Sequence, residues 1–301
     1  MVGKDDILTL KKKKNAIILA HYYTYPEVQE VADFVGDSLA LAQKAAQTSA
    51  DIILFAGVHF MAETAKMLNP DKKVLIPDMA AGCSLADCCD ADDLAQFLKN
   101  YPDHKVLAYI NCSAKVKTMA DIIVTSGNAL KIVNALPKDE KIVFVPDRNL
   151  GSYINEQTGR NMVLWDGACH VHDKITTQLV QNLKAQHPEA KVIAHPECPG
   201  AVLALADFVG STAAMLKYVA SSTQTHFVVV TENGILHELT KQNPDKKFFA
   251  ANACDGCNCE YMKMNSLENI YKALQTEQPE LILDADTIEK GKKPILRMLE
   301  M

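Results

Sequence analysis

The chain repeats itself three times. The run Asn15-Ala-Ile-Ile-Leu-Ala-His21 returns as Lys105-Val-Leu-Ala-Tyr109 and again as Lys191-Val-Ile-Ala-His195, at offsets of 88 and then 86 residues. The same offsets align Ala32-Asp-Phe-Val-Gly-Asp-Ser38 with Ala120-Asp-Ile-Ile-Val-Thr-Ser126 and Ala206-Asp-Phe-Val-Gly-Ser-Thr212 without a gap. A second apolar strand follows in each unit (Ile52 to Ala56, Ile142 to Pro146, Phe227 to Thr231), and then a third (Val74 to Pro77, Met162 to Trp165, Phe248 to Ala251). Short β-branched runs alternating with helical patterns predict βαβ units around parallel sheets. A period of 86 to 88 residues is too long for a solenoid and suits a small αβα domain. The expected fold is α/β: three pseudo-threefold-related, three-layer αβα domains with parallel sheets, over residues 1–83, 84–170 and 171–283. The stretch 284–301 reads as a helical tail packing back on the first domain.

Ligands of open parallel sheets bind outside the carboxyl ends of the strands, so residues just past each first strand face the site. These are His21 and Tyr23, Tyr109 and Asn111, and His195 and Glu197. A spacing of two puts both side chains of a pair on one face. A lone polar residue at a strand end is ordinarily a satisfied rim residue, but nothing in a backbone repeat demands a polar pair in all three copies. Ser38, Ser126 and Thr212 sit where a βα turn hands over to a helix. A hydroxyl there either caps the helix, contributing about 1 kcal/mol, or contacts an anion drawn by free N–H groups and the helix dipole; the two are compatible.

After the third strand of each unit comes a cysteine: Cys83, Cys169, and the cluster Cys254, Cys257 and Cys259. One thiolate per domain meeting on an axis makes a three-cysteine site. Such a site suits a [4Fe–4S] cluster whose fourth iron lacks a protein ligand and acts as a Lewis acid. Zinc remains an alternative, given the histidines in Cys169-His-Val-His172, although a zinc ribbon needs a second cysteine pair that is absent here. Unequal loop lengths leave the third ligand open. Cys88, Cys89, Cys112 and Cys198, taken singly, read equally well as small buried hydrophobes.

Thirty-one basic against 37 acidic residues give a net charge of −6, which opposes non-specific nucleic-acid binding. No apolar run reaches the roughly 18 residues of a membrane span. The expected setting is cytoplasmic, with no nucleic-acid or membrane partner, and the nine cysteines read as metal-binding or catalytic rather than as a disulfide scaffold.

Taken together, Leu19-Ala-His21-Tyr-Tyr23, the segment 32–38, Phe60-Met-Ala-Glu63, Pro146-Asp-Arg-Asn-Leu-Gly151, His195-Pro-Glu-Cys198 and Lys292-Lys-Pro-Ile-Leu-Arg-Met298 resemble the quinolinate synthase family over nearly the whole chain. The resemblance implies three αβα domains around a central [4Fe–4S] cluster held by Cys83, Cys169 and, from the context Cys259-Glu-Tyr-Met262-Lys-Met-Asn265, Cys259. It implies condensation of iminoaspartate, supplied by an aspartate-oxidising partner enzyme, with dihydroxyacetone phosphate. Phosphate and two waters leave, and quinolinate goes to NAD synthesis. His21, Ser38, Tyr109, Asn111, Ser126 and Thr212 are then expected to hold substrate, together with His195 and Glu197; Tyr23, His172, His195 and Glu197 are expected to move protons. Tyr22 departs from the family, which commonly has asparagine there. Two rivals stand beside this reading: a cluster-dependent hydro-lyase acting on a single hydroxy acid, and a zinc-binding or redox-sensing protein without chemistry of its own.

Overall fold

The computed structural model describes residues 2–251 and 258–301; Cys254 and Cys257 lie outside the described residues. The three units form three four-stranded parallel sheets. The first contains β1 (Ala16–His21), β2 (Phe34–Gly36), β3 (Ile52–Ala56) and β4 (Lys73–Leu75). The second contains β5 (Lys105–Tyr109), β6 (Ile122–Val124), β7 (Ile142–Val145) and β8 (Val163–Leu164). The third contains β9 (Lys191–Ala194), β10 (Phe208–Val209), β11 (His226–Val230) and β12 (Lys247–Ala250). The orders β2-β1-β3-β4, β6-β5-β7-β8 and β10-β9-β11-β12 are the same arrangement three times, as the α/β triplicate reading expects.

Each sheet has one strand more than the sequence reading placed. The aligned segments 32–38, 120–126 and 206–212 each hold a strand of two or three residues at the sheet edge, too short to show a period of two. What fixes these strands is the repeated aspartate. Asp33, Asp121 and Asp207 each accept the backbone N–H of the neighbouring first strand, at Ile18, Val106 and Val192, over 2.8 Å in all three cases. The aspartate N–H groups donate back to the carbonyls of the same three residues. Side chain and main chain thus hold the edge strand to the centre in every unit.

Strands covered by helices on both faces read as unbroken apolar runs. Ile52 to Ala56 are all buried, as are Ile142 to Val145. Burying such side chains contributes about 1.5–3 kcal/mol each, and one connected core spans parts of all three units. The C-terminal helix Ala285–Glu300 lies against the helix His59–Leu68 of the first unit and against the helix Ala114–Lys117 and β6 of the second. Among the described residues no helix is long and apolar enough to cross a membrane.

In each sheet the chain steps from the central first strand to one side and then to the other. That reversal opens a crevice at the strand's carboxyl end. The three crevices face one another.

Candidate active site

A single cavity of roughly 650 Å³, counting the space at its mouth, occupies the meeting point of the crevices. His21, Tyr23, Ser38, Cys83, Tyr109, Asn111, Ser126, Cys169, His172, His195, Glu197, Thr212 and Cys259 all line it. The structure therefore brings these thirteen sequence candidates together, while Cys254 and Cys257 lie outside the described residues.

Two of the strand-end pairs share a local device. The Tyr23 backbone N–H donates to Nδ1 of His21 at 3.1 Å, and the Glu197 N–H donates to Nδ1 of His195 at 3.3 Å. A ring nitrogen that accepts is unprotonated, so each neutral imidazole carries its proton on Nε2. Burial lowers His21 to about 3, with His195 adding to the effect, and burial lowers His195 to about 4 against the opposing pull of Glu197. Both rings are neutral at neutral pH. His195 Nε2 lies 3.2 Å from Ser126 Oγ; by this tautomer it donates, leaving the serine proton free to point elsewhere.

Glu197 is the hub of a second network. Its Oε1 accepts the Tyr109 hydroxyl at 2.5 Å, and its Oε2 lies 3.0 Å from Nδ1 of His172. Nε2 of His172 lies 2.8 Å from the Thr231 hydroxyl, which is 2.6 Å from the Tyr23 hydroxyl. Burial pushes the Glu197 carboxyl up, but electrostatic interaction with His172 and His195 and hydrogen bonds from His172 and Tyr109 outweigh it, to about 2. Tyr23 and Tyr109 are both held well above the ordinary phenol range, first by burial.

The hydroxyls at the helix starts sit differently from the capping reading. Asp37 caps the helix Ser38–Gln47 through Ala40 N, and Ser211 caps Thr212–Ser221 through Ala214 N. Ser38 and Thr212 are the first helical residues, one past each cap. Ser126 precedes the cap position, Asn128, of Ala129–Ala135. At Ser38 and Thr212 the Asp or Ser immediately upstream caps instead, because its side chain accepts the amide three residues further on. All three hydroxyls line the cavity and none is needed as a cap. A Cβ on Gly127 would stand 3.4 Å from Ser211 Oγ and 3.8 Å from Asp37 Oδ2, so the three helix starts meet here.

Cys83, Cys169 and Cys259 each immediately precede a four-residue helix: Ser84–Asp87, His170–Asp173 and Glu260–Lys263. Burial pushes all three thiols up, Cys259 to about 11. Backbone N–H groups of each following turn oppose this, though none closes a capping hydrogen bond.

Thr231, Glu232 and Asp37 are the site residues sequence reasoning missed. Thr231 follows β11 where the other units carry Gly57 and Pro146, so repetition gives no signal there, and Glu232 is matched by an acid in one other unit alone, at Asp147.

The sequence profile of the quinolinate synthetase A protein family matches residues 5–300. Quinolinate synthase of Microcystis aeruginosa is 53% identical over 99% of this chain and 95% of its own. That of Thermosynechococcus vestitus is 54% identical over 98% and 94%, and that of Synechocystis sp. 53% over 98% and 94%. The chain belongs to the quinolinate synthetase A family. It is an enzyme of that family, and its cavity is the candidate active site.

Two sets of residues in this family member could hold a metal. Cys169, His172 and Glu197 bring ligand atoms within 4.8 Å of one another. His172 and Glu197, however, already spend both nitrogens and both oxygens on protein partners. The three thiols fit an iron–sulfur group better. They are soft donors, one from each unit, and burial makes them costly to ionise unless a cation joins them. Among the described residues no fourth cysteine lines the cavity.

Proposed function

We propose that this enzyme makes quinolinate for NAD biosynthesis from iminoaspartate and dihydroxyacetone phosphate, releasing phosphate and two waters. The observation that carries the reading is the convergence of three thiols, one from each unit, with a hydroxyl–imidazole–carboxylate chain in one buried cavity. Cys83, Cys169 and Cys259 would hold a [4Fe–4S] cluster. When bound, that cluster would supply a Lewis acid for loss of a substrate hydroxyl.

The protein's own groups divide into binding and proton transfer. No Lys or Arg lines the cavity among the described residues, so carboxylates and phosphate would be met by neutral donors. These are His21 Nε2–H, the hydroxyls of Ser38, Ser126 and Thr212, and Asn111, while the Tyr109 oxygen, whose proton goes to Glu197, would accept from a substrate hydroxyl. His195, through the ring proton it gives Ser126, turns that serine outward as a donor. The Asn111 Oδ1 is buried without a partner among the described residues, and a substrate donor would complete it.

Proton transfer would run along the Glu197 network. A carboxylate only accepts, so a neutral His172 ring carries its proton on Nδ1 and accepts at Nε2. Thr231 then donates to His172 and accepts from Tyr23. A proton taken up at the Tyr23 oxygen would be matched by one passed through Thr231 to His172, and the resulting imidazolium would sit 3.0 Å from Glu197. Such a relay needs heavy-atom separations of about 2.6–3.2 Å throughout, which these links meet.

The test is anaerobic turnover with iminoaspartate generated in situ and dihydroxyacetone phosphate. Quinolinate formation that needs both substrates supports the reading; turnover of a single hydroxy acid, with no need for the triose phosphate, favours a hydro-lyase instead.

A further inference from the structure

We propose that Glu232 and Lys263 are a positioning pair that couples the turn carrying Cys259 to the loop carrying Tyr23. The inference deepens the proposed function, from which it takes the roles of Cys259 and Tyr23.

Glu232 is fully buried in the cavity wall, yet neither of its oxygens is spare. Oε2 accepts the Gly234 N–H at 2.6 Å. Oε1 lies 3.0 Å from Lys263 Nζ and 3.4 Å from the Cys259 amide nitrogen. Lys263 then donates to the Tyr23 carbonyl at 2.6 Å. One ammonium thus joins a carboxylate of the third unit to the main chain of the first.

The surrounding contacts make that joint close-fitting. A Cβ on Gly234 would lie 2.6 Å from Tyr23 Cα and 2.8 Å from the Tyr22 carbonyl oxygen, so the loop after β11 rests directly on the loop after β1. Gln29 Nε2 donates to the carbonyls of Tyr22, Thr24 and Gly234. Asn265, two residues beyond Lys263, donates to the Gly57 carbonyl at 2.9 Å. The cysteine-bearing turn of the third unit is therefore tied to the first unit at two points, and Lys263 is the charged one.

Charge explains why a lysine is needed there. Asp37, Glu197 and Glu232 line a cavity without a lining cation among the described residues. Lys263 reaches Glu232 from behind, since it also lines two outer grooves beside Tyr25 and Asn258. A buried carboxylate stripped of its partner is strongly destabilising, whereas removing both charges together is far less so.

The test compares the full chain, purified anaerobically, with Lys263→Met, Glu232→Gln, the double variant and Lys263→Arg. Amide hydrogen exchange is followed at residues 22–25 and 258–264, alongside melting temperature and steady-state kinetics. Lys263→Met is expected to speed exchange in both segments by about tenfold or more, leave the turns after Cys83 and Cys169 unchanged, and lower kcat about tenfold to a hundredfold with little change in KM. The double variant is expected to regain melting temperature but neither slow exchange nor kcat, and Lys263→Arg to regain slow exchange. Exchange that rises in neither segment, or in only one, overturns the coupling; so does a double variant in which kcat returns with the melting temperature. If the wild type makes no quinolinate the proposed function fails, while the exchange comparison still decides the coupling.

Discussion

The hydroxyls of Tyr23 and Thr231 lie 2.6 Å apart, joining the first unit to the third across 208 residues of chain. Thr231 is wholly buried, and its other neighbour is Nε2 of His172. Thr231→Val keeps the shape and removes the hydroxyl that bridges Tyr23 to His172. We expect kcat to fall about 100-fold, the scale of a lost proton-transfer group, with iron content unchanged. Thr231→Ser should keep most of the rate. Equal losses in both variants, by steady-state kinetics, would assign Thr231 to packing alone.

Glu197 lies 3.0 Å from the His172 ring and receives the Tyr109 hydroxyl. Glu197→Gln should retain the iron–sulfur absorption and lose about 100-fold or more in turnover. Near-normal quinolinate formation would remove Glu197 from the proton path.

Acid should unfold this protein through its buried imidazoles. His21 and His195 are held at about 3 and about 4, below the ordinary 6.5. Between those limits the unfolded chain binds protons that the folded chain refuses, so stability is lost as pH falls from 6.5 towards 4. Glu197, held at about 2 against an ordinary 4.5, adds a loss of the same sign below pH 4.5. Denaturant midpoints measured from pH 7 to pH 4 should fall steadily, and less steeply in His21→Gln and His195→Gln. A flat wild-type profile would contradict the buried neutral rings.

Gly234 has no room for a methyl group against Tyr23. Gly234→Ala should cost about 1–3 kcal/mol of stability through overpacking and lower kcat by moving the Tyr23 loop. A melting temperature and rate equal to wild type would show that the two loops can part freely.

The sequence revealed most where the chain repeats. Leu19-Ala-His21, Leu107-Ala-Tyr109 and Ile193-Ala-His195 put a polar residue at the same strand end three times, and all three line one cavity. What stayed hidden falls where the units differ or the elements are short. Thr231 read as the end of an apolar strand because its counterparts are Gly57 and Pro146. The edge strands β2, β6 and β10 span only two or three residues, and pairing, not periodicity, defines them. Capping was read one residue late at Ser38 and Thr212, because Asp37 and Ser211 reach the third amide and the residue after them does not. The Glu232–Lys263 pair joins positions 31 residues apart through tertiary packing alone, with no spacing rule to announce it.

The central claim is that one thiol from each unit holds a single iron–sulfur cluster. Its most direct test is iron and sulfide analysis, with an absorption spectrum, of the anaerobically purified chain and of Cys83→Ala, Cys169→Ala and Cys259→Ala. The account predicts about four irons and four sulfides per chain, lost in each variant. One zinc per chain, retained in Cys83→Ala and Cys259→Ala but lost in Cys169→Ala, would contradict it and assign the metal to Cys169, His172 and Glu197.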